Sequence, residues 1–135
     1  MPHVSFNKLE DSERRALYRS LVKTLEKSFA QGKGFAVLQE FLTHTEREML
    51  AKRLAVVVLI KREVPVSKIA NILKMSRVTI DTMALKYEAG RYDQLVSVAL
   101  KENSIGDLLD GLIKNMNTAG GLMPPYVGRG QKKSR

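Results

Sequence analysis

A chain of 135 residues, 44% hydrophobic and 27% charged, has the length of one domain with a real core and is too short for two independent ones. It has no cysteine, which removes disulfides, thiolate metal sites and thiol catalysis together, and two histidines far apart in sequence, His3 and His44, do not suggest a metal site, so no cofactor is expected. The 23 Lys and Arg against 14 Asp and Glu leave a net charge of +9, which makes a polyanionic partner plausible.

No apolar run approaches the ~20 residues of a membrane span. Residues 1–10 lack the apolar segment and cleavage site of a secretory signal, and the expectation is a cytoplasmic protein without a membrane partner. Residues 9–29 place Leu9, Leu17, Leu21, Leu25 and Phe29 at helical spacing with Arg14, Arg15, Arg19, Lys23 and Lys27 between them, which predicts a long amphipathic helix ended by Gly32 and Gly34. A short helix follows near residues 35–41, with Phe35, Val37, Leu38, Phe41 and Leu42 as its apolar face. Thr43 and Glu46 fit a capping box, in which the threonine hydroxyl accepts from a first-turn amide and the glutamate reaches back to the cap. That box opens a helix over residues 44–62. The run from Leu54 to Ile60 is unbroken and rich in valine, but its length and flanks favour a helix buried on most sides over a strand.

Pro65 suits the first turn of the next helix. After a break at Ala89, Gly90 and Arg91, Leu95, Val96, Val98 and Leu100 support a helix to about Lys101, and Ser104 can cap another over residues 105–115. From Asn117 the glycines and prolines deny both helix and strand. The expected organisation is an all-helical domain over 1–116 and a mobile basic tail over 117–135, whose Arg129, Lys132, Lys133 and Arg135 can touch phosphates.

Residues 65–86 read as helix, tight turn, helix. Ile69, Leu73, Val78 and Ile80 are expected where the two short helices cross, and Ala70 is small enough to allow close approach. Ser76 caps the second helix and leaves first-turn amides facing outward, suited, like the preceding Ser67, to the phosphate side of a nucleic acid. Arg77, Val78 and Asp81 project from the half that enters a major groove: Arg77 can pair with guanine, and Val78 can press on a thymine methyl. Asp81 can accept from a cytosine amino group or sit beside Arg77 and orient it. Lys68, Lys74, Thr79 and Lys86 are placed to hold phosphates. Lys74 stands at the turn position where glycine is usual. Residues 66–92 hold five basic and two acidic side chains, which agrees with a surface facing double-stranded DNA.

These residues resemble the Trp repressor superfamily of helix-turn-helix transcription regulators over about Phe41 to Ala89. The resemblance rests on Leu42, Thr43, His44, Thr45, Glu46, Arg47 and Glu48 leading into a long helix with Arg53, then on Ile69, Leu73, Thr79 and Ile80 in register. It implies an intertwined all-α homodimer, in which long helices and N-terminal helices of two chains build one core, with two recognition helices ~34 Å apart. It also implies an amino-acid pocket. Thr43 and Arg53 match two positions of that pocket, but its second arginine falls on Thr82 and the glycine that leaves room for an indole falls on Met83. The expectation is a regulator of repressor type that does not use tryptophan, with Met83 in the core and Arg53 on the helix surface; whether another effector exists stays open.

An enzyme is not expected, because no glycine-rich phosphate loop follows a strand and no nucleophile stands beside a histidine and an acid. The alternative from another class is a helical interaction and dimerisation module without specific DNA binding. RNA comes third, since 6% aromatics and no tryptophan provide little for stacking on bases.

Overall fold

A computed structural model describes residues 8–101 and 103–119, and among them there are seven helices and no strand. Their order is α1 Asp11–Ala30, α2 Gly34–Phe41, α3 His44–Lys61, α4 Val66–Leu73, α5 Arg77–Glu88, α6 Asp93–Ala99 and α7 Asn103–Ala119. The fold class is all-α, as the periodicity predicts. The chain divides into two compact units, Met1–Arg47 and Glu48–Arg135.

In the first unit α1 packs against α2. Leu9 lies before α1, whose cap is Glu10; the Glu10 N–H donates to the Glu13 carboxylate at 2.9 Å. The two glycines expected to end α1 have different tasks. Gly32, at φ +74°, is the left-handed residue that closes the helix, and the following Lys33 N–H donates back to the Ser28 carbonyl at 2.8 Å. Gly34 instead begins α2, where a Cβ would lie 2.1 Å from a Phe29 ring carbon, so the ring rests on bare backbone. The predicted capping box is present: the Thr43 N–H donates to Glu46 at 2.8 Å and the Glu46 N–H donates to the Thr43 hydroxyl at 3.1 Å. The Thr43 backbone bond, with the side-chain bond adding to it, holds the Glu46 carboxyl below its ordinary pKa. Arg47 donates to the Gln39 and Leu42 carbonyls at 3.1 and 2.7 Å, which satisfies acceptors left over at the end of α2.

The second unit holds a core. Five successive residues of α3, Ala55 to Leu59, are buried, more than one full turn, so this helix is covered all round. Ile69, Ala70 and Leu73 from α4, Ile80 and Met83 from α5, Ala99 from α6 and Leu109 from α7 complete the cluster. Pro65 is the residue before α4, with extended ψ of 148°, not a member of its first turn. The helix expected over residues 105–115 begins two residues earlier, at Asn103, so Ser104 lies inside it, and α7 runs to Ala119, through the point where the sequence places the start of the tail. Residues 120–135, the rest of that tail, lie outside the described residues. No helix among those described is long and apolar enough to cross a membrane.

Candidate nucleic-acid interface

α4 and α5 form a helix-turn-helix through three local devices. Lys74 ends α4 in the left-handed region, φ 57° and ψ 51°, and the Met75 N–H donates to the Ala70 carbonyl at 3.1 Å, as in a glycine-closed helix. Ser76 turns the chain into α5 as its N-cap, its Oγ accepting from the Thr79 N–H at 3.2 Å. The buried face of α4, Ile69, Ala70 and Leu73, meets Ile80 and Met83 of α5 in the shared core.

Val78 is a correction: expected at the helix crossing, it is 74% exposed. Residues two apart on a helix differ by about 200°, so Val78 and Ile80 cannot both face α4, and Ile80 is the buried one. Arg77, Val78 and Asp81 are therefore exposed on α5, as are Ser76, Thr79 and Lys86, while Ser67 and Lys68 on α4 are half-buried and Lys74 is exposed in the turn. No ion pair joins Arg77 to Asp81 among the described residues, and the guanidinium keeps its full set of donors. The Ser76 and Thr79 hydroxyls lie 2.8 Å apart and bond each other, which ties Thr79 to the cap. The N–H groups of Arg77 and Val78, at the positive end of α5, find no acceptor among the described residues.

Beside this face a groove of about 690 Å³ is lined by Arg53, Val78, Thr79, Thr82, Met83, Lys86, Arg91 and Tyr92. Of the expected effector residues, Arg53, Thr82 and Met83 come together here. Thr43 belongs to the first unit, where its hydroxyl and N–H serve the capping box. Met83 is 6% exposed, a floor and not an opening, and the Thr82 hydroxyl donates to the Val78 carbonyl at 2.9 Å. Arg53, Lys86 and Arg91 bring three cations and no acid to the groove, and none of them has an ion-pair partner among the described residues. Such a groove suits an anion better than a zwitterion, whose ammonium group needs an acceptor. Sequence reasoning does not single out Arg91 and Tyr92. Their signal is Gly90, which at φ +79° closes α5 and turns the chain back, with the Arg91 N–H donating to the Lys86 carbonyl at 3.0 Å.

Among known protein families, the one described as Trp repressor protein matches residues 16–100, a span that takes in most of α1, all of α2 to α6 and so the whole helix-turn-helix. No curated protein and no solved structure matches.

Proposed function

The chain belongs to the Trp repressor family, a family of DNA-binding regulators, and from that premise we propose that it is a sequence-specific, double-stranded-DNA-binding transcription regulator of repressor type. The observation that carries this reading is the Ser76-capped helix α5, which holds an unpaired Arg77, an exposed Val78 and two open amides. In this reading Arg77 pairs with guanine, Val78 meets a thymine methyl and Asp81 accepts from a cytosine amino group. The Arg77 and Val78 amides, Ser67, Lys68, Lys74, Thr79 and Lys86 hold the backbone, with Ser76 shaping the end of the helix and the tail over 117–135 adding phosphate contacts outside the domain over 1–116.

The working form is a cytoplasmic homodimer. Support comes from the first unit, where Leu17, Phe29, Phe35 and Phe41 are exposed, an apolar surface that a second chain of an intertwined dimer would cover. Tryptophan is not the corepressor: Met83 fills the place where an indole would need a glycine, and calorimetry of the purified protein with tryptophan is expected to show no micromolar binding.

Selection from a randomised duplex pool at two salt concentrations, with wild type and Arg77→Ala, tests the whole reading. A palindromic motif that the variant relaxes is the expected result. Binding that selects no motif and only fades with salt means backbone attraction alone. The exposed apolar face of the first unit also favours a second reading, a protein-interaction module; weak and salt-insensitive DNA binding would select it.

A further inference from the structure

Helix α7 begins after the family match ends at residue 100, yet it is built into the back of the helix-turn-helix. Leu109 is 1% exposed, in the same core as Ile69, Leu73 and Ile80, and Ile105 and Ile113 pack beside it one turn away on either side. α7 contacts α4 directly. A polar tie joins α7 to the end of α3: Arg62, the residue after α3, pairs with Asp110 and reaches the Gly106 carbonyl at 3.5 Å. Gly106 gives this guanidinium its room, since a Cβ there would meet Arg62 Nη2 at 2.7 Å.

The helix that α7 touches is poorly held by its own sequence. α4 has eight residues, fewer than the ~12–15 at which an isolated helix becomes even marginal. Both of its approaches pass through left-handed backbone at residues other than glycine, Glu63 at φ 62° before it and Lys74 at φ 57° after it. Packing must therefore decide where α4 lies, and α5 hangs from it through the short turn of Lys74, Met75 and Ser76. Base recognition tolerates only small misplacement of a recognition helix, so a loose α4 is a blurred α5.

We propose that α7 is a positioning element for the recognition helix: Leu109 and the Arg62–Asp110 pair fix α4 from behind, and so set the selectivity of α5 among DNA sequences. This rests on the DNA-binding reading above. The test uses the full chain and two duplexes, one selected by the wild type and one unrelated, and reads the ratio of their affinities. Mere loss of folded protein weakens both duplexes by the same factor and leaves that ratio unchanged. Leu109→Ala is expected to lower the ratio about tenfold, the scale on which one side chain discriminates between bases, and Leu109→Val, which folds more surely, by a smaller factor. Asp110→Arg lowers it a few-fold, and the exchange of Arg62→Asp with Asp110→Arg restores it. A selective wild type whose ratio survives Leu109→Ala and Leu109→Val overturns the positioning role alone. A wild type that selects no sequence overturns the DNA-binding reading, and the positioning role with it.

Discussion

Among residues 8–47 the buried positions are Ser28 and Gly34, whereas from Glu48 onward a continuous stretch of α3 and side chains from four further helices bury one another. Both regions carry helices with apolar faces. The difference is in what their apolar faces meet. In the second unit Leu59, Ile69 and Ile80 are fully buried, while in the first Phe35 is 80% exposed. Ordering some 40 residues costs about 1–2 kcal/mol each, and residues 8–47, with no apolar side chain among them fully buried, do not recover that alone. An apolar stripe thus reveals that a face needs cover, and not whether the cover is in the same chain.

The sharpest way to break this comparison is in the core. Leu59→Ala is expected to lower stability by about 2–5 kcal/mol in urea unfolding, because it opens a cavity at a site with no solvent to refill it. A loss near zero would mean that the second unit is no core. Next comes the first unit, where Phe35→Glu is expected to weaken self-association by at least ~2 kcal/mol, read in sedimentation at several concentrations, with the helical signal of the second unit kept. Wild-type association in that variant would show the exposed face to be idle. A smaller effect lies at the two ends of α4. Lys74→Gly relieves left-handed strain of about 1–2 kcal/mol and gives back about 0.5–1 kcal/mol in chain entropy, for a net gain near 0.5–1 kcal/mol; Glu63→Gly should behave alike. Destabilisation by both would mean that the side chains, and not the backbone, decide these turns.

The smallest effect concerns pH. Glu46 has a folded pKa below its ordinary value near 4.5 because it accepts from the Thr43 N–H. Its contribution is therefore complete above the unfolded value and lost as the pH falls through the lower folded one. Glu46→Ala should be less stable than wild type near neutral pH, and the gap should close in acid below about 4.5, as followed by thermal melts. A gap unchanged by acid would rule out the capping box as its source.

What was legible in the sequence is what local chemistry controls. The Thr43–Glu46 box, the Ser76 cap, the left-handed Lys74 and the burial of the valine run in α3 all depend on groups within a turn of one another or on an unbroken apolar surface, and such patterns survive in one dimension. Even here the local reading failed where two periods were confused, as for Val78, and where a glycine served a neighbouring ring, as for Gly34. Glu63 escaped because nothing in its side chain marks a left-handed backbone. The rest was decided by tertiary structure. Arg91 and Tyr92 join Arg53 in a groove, and Arg62 finds Asp110 across 48 positions, only once the helices of the second unit have settled against one another. Residue types and spacing select which elements form and which faces are apolar, but the free energy that chooses their neighbours is non-directional burial, which does not write into the sequence which face will meet which.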